Sequence, residues 1–208
     1  YYIDKSYRKF YYHFDNCTLK EELNDYKNPK TKIQRMVKNK EIFPITKGLY
    51  ETNEHVDPFY LANPIYAPSY ISFETALSYY DLIPERVYMI KNATFKKRKK
   101  KRFETIFGIY TYQDVPPEAF PYGKHMIEVD GYMYLIAKKE KALLDLLYEA
   151  EPIKNMKEMR EYLFENMRIN ELVLDTFDKQ LCSDLKDLYH SRNVDLFVNM
   201  LLRGKLYD

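Results

Sequence analysis

Glycine is scarce and tryptophan is missing. The 208 residues hold five glycines, no tryptophan and only two cysteines, and each shortage removes a class of protein. A phosphate-cradling loop needs closely spaced glycines, and no GxGxxG, GxxxxGK[ST] or GxSxG pattern occurs. Cys17 and Cys182 lie far apart without CxxC spacing, so neither a disulfide framework nor a zinc site is expected, and the expected compartment is the reducing cytoplasm. His13, His55, His125 and His190 are scattered, with no HExxH or other metal-ligand spacing. No metal and no cofactor follow from such a set. No apolar run approaches the roughly 18 to 20 residues that cross a bilayer, and the first residues lack a signal-peptide core, so no membrane association is expected.

What the chain has is charge and tyrosine. Lys and Arg number 33 against 31 Asp and Glu, a formal net of +2, while 22 Tyr and 12 Phe carry much of the apolar content. A nearly neutral surface argues against nonspecific binding over the whole molecule, so contact with nucleic acid must come from local patches. One patch stands out. Between Tyr26 and Tyr50 seven Lys and Arg (27, 30, 32, 35, 38, 40, 47) face a single acid, Glu41.

That stretch predicts a helix followed by a hairpin. Asn28 suits an N-cap and Pro29 the first helical position, where its missing N–H costs nothing. Ile33, Met36 and Val37 recur at the spacing of a buried stripe, leaving Lys30, Thr31, Lys32, Gln34, Arg35 and Lys38 outward. After Lys40 the period changes to that of strands, Ile42, Phe43 and Ile45, then Gly48 and Leu49-Tyr50, with Lys47 at the turn. Together they suggest a recognition helix and wing. The plainer alternative is a surface helix with a solvated basic face.

Upstream, Ile3 to Phe14 reads as a first helix. Thr18 and Glu21 read as a capping box opening a second, with Leu19 and Leu23 inward. Helix, helix, turn, helix and hairpin is the order of a winged helix-turn-helix, expected over residues 1–62. The prolines at 58, 64 and 68 mark a boundary, with a short helix expected across Asp57 to Ala62. Residues 63–208 are expected to form an α+β domain with a small antiparallel sheet and a helical C-terminal half. Its expected elements are a helix over Phe73 to Tyr80 capped by Ser72, a strand over Arg86 to Ile90, and a strand over Phe103 to Tyr112. A hairpin is expected about Asp130-Gly131, then helices over Lys138 to Tyr148, Met156 to Phe164, Glu171 to Tyr189 and Val194 to Leu202. Between the first two strands lies an unbroken cationic run, Lys96, Lys97, Arg98, Lys99, Lys100, Lys101 and Arg102. It reads as a solvated loop or, from Lys97 to Arg102, as a second phosphate contact. Glu140, Asp145 and Glu149 read as solvated or ion-paired helix surface, and no clustered catalytic set emerges.

Three stretches resemble the AbiEi-type antitoxins of type IV toxin-antitoxin, or abortive infection, systems. The basic helix running into Ile42-Phe43-Pro44-Ile45-Thr46-Lys47-Gly48-Leu49-Tyr50 is similar to the family's wing ending in Gly-x-Tyr. Tyr70 to Glu85 resembles its Ser-x-x-Ser/Thr-Ala-Leu helix and Leu-Ile-Pro turn. Ala137-Lys138-Lys139-Glu140-Lys141-Ala142-Leu143-Leu144-Asp145 resembles its Ala-x-x-Glu-Lys-Ala-Leu-Leu-Asp helix, with Lys139 where the family often has Pro. The resemblance implies a winged helix that binds double-stranded operator DNA and represses its own operon. It also implies a C-terminal domain that counteracts a cognate nucleotidyltransferase-like toxin. A winged-helix transcription factor without a toxin is the alternative, and an enzyme acting on nucleic acid is disfavoured by the missing catalytic set.

Overall fold

Asn28 ends the turn at residues 23–27 by accepting the Thr31 N–H on its side chain at 3.2 Å, and with Pro29 in the first turn the chain enters helix α1, Pro29–Lys38. The computed structural model that shows this describes residues 13–15, 23–85, 87–129, 131–204 and 206. Ile33 and Met36 are buried under α1 against Leu23 and Ile42, making a small core of their own. A bulged hairpin follows, β2 (Phe43–Thr46) and β3 (Leu49–Glu51), with Gly48 at φ 84° in the two-residue turn, a conformation glycine adopts without penalty. Strand β1, His13–Asp15, pairs with the other side of β3, so the three-stranded antiparallel sheet runs β1-β3-β2. The expected first helix therefore does not extend to Phe14. Its remainder, and most of the Thr18 helix, lie outside the described residues.

The boundary segment is ordered by its own side chains. Asp57 caps a 3₁₀ turn, Pro58–Leu61, that leads into α2, Ala62–Ile65, so the short helix expected there is present. Val56, Tyr60, Leu61, Ala62 and Ile65 are buried in the main core together with Ile45 of β2. That core therefore reaches back across residue 63.

The second sheet is larger than expected and is mixed. Its six strands run β6-β7-β5-β4-β9-β8, where β4 is Tyr70–Ile71, β5 Met89–Thr94, β6 Lys101–Thr105, β7 Gly108–Asp114, β8 Lys124–Val129 and β9 Tyr132–Ala137. The pairs β5/β7 and β4/β9 are parallel, the others antiparallel. Three expectations change here. The strand placed at Arg86 to Ile90 begins at Met89, because the Thr75 hydroxyl donates to Met89 O and accepts the Lys91 N–H, anchoring the strand start to helix α3, Phe73–Tyr79. The strand placed over Phe103 to Tyr112 is a hairpin. Thr105 Oγ1 accepts the Phe107 N–H and donates to Gly108 O, which fixes the turn between β6 and β7. The cationic run is a loop only to Lys100, since Lys101 and Arg102 open β6. The hairpin expected about Asp130-Gly131 is present, with Val129 opposite Tyr132.

Helices close the chain: α4 (Lys139–Glu149), α5 (Met156–Arg160) with a π-helical turn to Asn166, α6 (Glu171–Leu174), α7 (Lys179–Lys186) and α8 (Arg192–Leu202). The single helix expected from Glu171 to Tyr189 is two. Asp178 accepts the Leu181 N–H as the N-cap of α7, and its own N–H is held by buried Glu140, so the chain must turn before it. No helix of the described residues is long and apolar enough to cross a membrane.

Candidate nucleic-acid interface and a buried polar cluster

The α1 stripe orients the helix, and with it the candidate reading face. Burial of Ile33 and Met36 leaves Lys30, Thr31, Gln34, Arg35 and Lys38 exposed, as expected, and Lys47 is exposed in the β2–β3 turn. Lys32 is half-buried, its ammonium 5.5 Å from the centre of the Tyr26 ring. The one acid of this region, Glu41, accepts a hydrogen bond from the Asn39 side chain at 3.0 Å. Helix α1 and the β2/β3 hairpin thus display cationic donor groups of the kind that bind phosphate oxygens and base edges.

The β2/β3 hairpin also meets the second sheet. Strand β2 contacts β6, and Pro44, Thr46, Lys47 and Tyr50 form one wall of an open groove whose other wall is Glu104 and Ile106 at the β6–β7 turn. The cationic run therefore leads into the strand beside that hairpin, although its members are unequally free. Lys97 donates to Ala67 O at 2.8 Å and sits over the Tyr66 ring, Lys100 is paired with Glu149, and Arg102 is paired with Glu104 at 2.8 Å. Arg98 contributes its backbone N–H to Asp114 at 2.7 Å. Lys99 and Lys101 are exposed. The run, expected as a solvated loop or a second phosphate contact, thus has three of its side chains engaged within the chain.

A second constellation escaped the sequence reading. Asp145 and Lys141 are fully buried, and Glu140 is only 4% exposed, so two of the three acids expected on a helix surface are inside. Asp145 Oδ1 accepts from Lys141 Nζ at 2.8 Å and from Tyr189 OH at 2.6 Å; Oδ2 accepts from Ser72 Oγ at 2.6 Å and Tyr70 OH at 3.0 Å. Lys141 also donates to Tyr189 OH at 2.6 Å. Ser72 stands at the start of α3, as expected, but its hydroxyl serves Asp145 instead of capping the helix. Burial holds the Lys141 ammonium below its usual pKa, opposed by Asp145, while burial and the neighbouring carboxylate push Tyr70 and Tyr189 well up. The protonated phenols are therefore secure donors. Gly123, at φ 68°, backs the Lys141 stem so closely that a Cβ there would lie 3.0 Å from Lys141 Cβ. The cluster joins β4, α3, α4 and the segment after α7 through a fully engaged carboxylate, and its chemistry is that of a structural anchor.

The signal for it was present in the sequence. Ala142, Leu143, Leu144, Leu146 and Leu147 surround positions 141 and 145, and a helix apolar on every side is a buried helix. Compared with known proteins, the chain matches no family model and no curated protein.

Proposed function

We propose that the protein binds double-stranded operator DNA through α1 and the wing. We propose further that it acts in the cytoplasm as an AbiEi-type antitoxin, residues 1–62 providing repression of its own operon and residues 63–208 counteracting a nucleotidyltransferase-like toxin. The observation that carries the DNA reading is the solvent-facing set Lys30, Thr31, Gln34, Arg35 and Lys38 on a helix held by a separate small core, with Lys47 displayed on the adjoining hairpin. The antitoxin half rests on the three sequence stretches that resemble that family. Helix α1 enters the major groove, and Lys47 reaches the neighbouring phosphates.

A gel-shift series at fixed salt on an operator fragment tests the first half. Lys32→Ala with Arg35→Ala abolishes specific binding, and if either side chain reads a guanine bidentately its share is about 1–3 kcal/mol. Unchanged affinity of the double variant removes the recognition-helix assignment. Colony formation under induced toxin tests the second half: full-length protein restores growth, whereas a repressor without antitoxin activity leaves the toxin lethal.

A further inference from the structure

Among the described residues strand β8 ends the six-stranded sheet and pairs only with β9, so no described strand covers its other edge. Its two-residue connection to β9 makes Val129/Tyr132 a hydrogen-bonded pair, and the alternation then makes Ile127/Tyr134 and His125/Ile136 the next two. The Lys138 N–H donating to Gly123 O at 2.8 Å continues that phase. The main-chain groups of Lys124, Met126 and Glu128 must therefore point away from β9, toward that other edge. The same three residues share one face of the strand, and on that face Met126 is 58% and Met133 57% exposed.

Edges of this kind are usually protected by proline, bulges or dense charge. The opposite edge, β6, carries Lys101, Arg102 and Glu104, whereas β8 has no proline and no register shift. Its charges have another order. Lys124 and Glu128 stand symmetrically about Met126, so the strand is complementary to itself read backwards.

We propose that β8 is a homodimerisation edge, pairing antiparallel with β8 of a second copy about a two-fold axis at Met126. In that register Met126 faces Met126 of the copy, and Lys124 faces Glu128 of the copy on both sides of the axis. The three outward-pointing residues of each strand exchange about six main-chain hydrogen bonds. Leu135, opposite Met126 in β9, extends the apolar row across four strands. A shift of two residues would set Met126 against Glu128, so one register is favoured. In the single chain Lys124 is half-buried, its ammonium donating to Phe120 O at 2.9 Å and lying 4.0 Å over the Phe120 ring, so pairing with the carboxylate of the copy requires it to swing outward from that ring. A short two-stranded contact lies at the small end of specific interfaces, so the dimer forms in a concentration-dependent way.

Sedimentation equilibrium on the full chain decides it, with a thermal melt on every variant. The wild type passes from monomer to dimer mass as concentration rises. Glu128→Lys, at an exposed position, sets Lys against Lys and shifts the midpoint at least tenfold upward, as Lys124→Glu does by setting Glu against Glu. Mixing the two single variants restores the wild-type midpoint, because each then faces the opposite charge. Met126→Pro removes an outward N–H without touching the β8/β9 ladder, keeps the melt and abolishes the dimer. Should Lys124→Glu fail to fold, Glu128→Lys and Met126→Pro suffice. A wild type monomeric at every concentration overturns the proposal and leaves the edge to a strand of another protein, and so does a dimer indifferent to Glu128→Lys and Met126→Pro.

Discussion

Replacing Asp145 by Asn keeps the shape of the side chain and removes one charge from the most buried ion pair among the described residues. Lys141 and Asp145 are both 0% exposed, so no water can take over the lost interaction. The ammonium would keep the Tyr189 hydroxyl as a neutral partner. The carboxamide would still accept hydrogen bonds at one atom, but its NH₂ would confront hydroxyl donors that now have one acceptor fewer. Breaking a buried pair from one side costs about 3–5 kcal/mol, against a total stability of about 5–15 kcal/mol for a domain. At about 2–4 °C per kcal/mol for a chain of this size, the melt should fall by roughly 6–20 °C. Adding Lys141→Met removes the stranded ammonium, so the double variant should be more stable than Asp145→Asn alone. Urea unfolding of the wild type, both single variants and the double variant closes the cycle. Two results would refute the reasoning: an Asp145→Asn variant within about 1 kcal/mol of wild type, or a double variant whose loss equals the sum of the singles.

Other outcomes follow from the same structure. Burial pushes the Cys182 thiol up to about 12, so in a Cys17→Ser background a thiol reagent at pH 8 should label the protein only after unfolding. Glu51 is buried and its pKa is raised by that burial, despite the backbone N–H groups of Thr52 and Asn53 that it accepts. Its contribution is greatest below the ordinary value of 4.5 and is lost as the pH rises through the raised folded value. The melting temperature of Glu51→Gln minus that of wild type should accordingly be more positive at pH 7 than at pH 4, and the opposite sign would contradict the assignment. If the chain binds operator DNA as proposed, Gln replacements at Lys99, Lys100, Lys101 and Arg102 should flatten the salt dependence of that binding without changing the preferred site; an unchanged slope in the gel-shift series returns the run to solvent.

The elements that were legible in the sequence are those whose cause is local. Asn28-Pro29, the Ile33/Met36 stripe, Gly48 and the Asp130-Gly131 pair act within a few residues of themselves, and α1 and the β2/β3 and β8/β9 hairpins stand where these signals put them. What escaped depends on partners far along the chain. Strand β5 ends in Lys91-Asn92-Ala93-Thr94, a polar string that no hydrophobic period reveals. Asn92 is buried there with its NH₂ donating to Ile90 O and Thr111 O while its Oδ1 has no hydrogen-bond partner, and Thr94 is buried with its hydroxyl donating to Asp114. Satisfied polar groups substitute for apolar ones in a core, and only the folded contacts show which are satisfied. The candidate site divides in the same way. The exposed cations of α1 follow from the helical period, whereas the partners of Lys97, Lys100 and Arg102 arrive from elsewhere in the fold or along the strand.

The boundary near residue 63 is where local and distant causes conflict most directly. Three prolines and two asparagines made Glu51 to Pro68 look like a linker, and they do exclude a long element there. Proline and asparagine also fix tight turns, however, and the 3₁₀ turn and α2 that they shape direct Tyr60, Leu61 and Ala62 into the main core at 7%, 0% and 2% exposure. Tyr60 stacks on Tyr132 at 4.6 Å between ring centres, and Tyr112 OH donates to Ala62 O at 2.5 Å. A fragment starting at Asn63 would leave those positions empty. With about 1.5–3 kcal/mol for each large apolar side chain fully buried, losing Tyr60 and Leu61 alone should cost it about 3–6 kcal/mol relative to a fragment starting at Thr52. Urea melts of the two fragments measure that difference. Equal midpoints would mean that residues 52–62 dress the core without supporting it; a gap of the expected size places the physical start of the folded unit before Tyr60, whatever the sequence punctuation suggests.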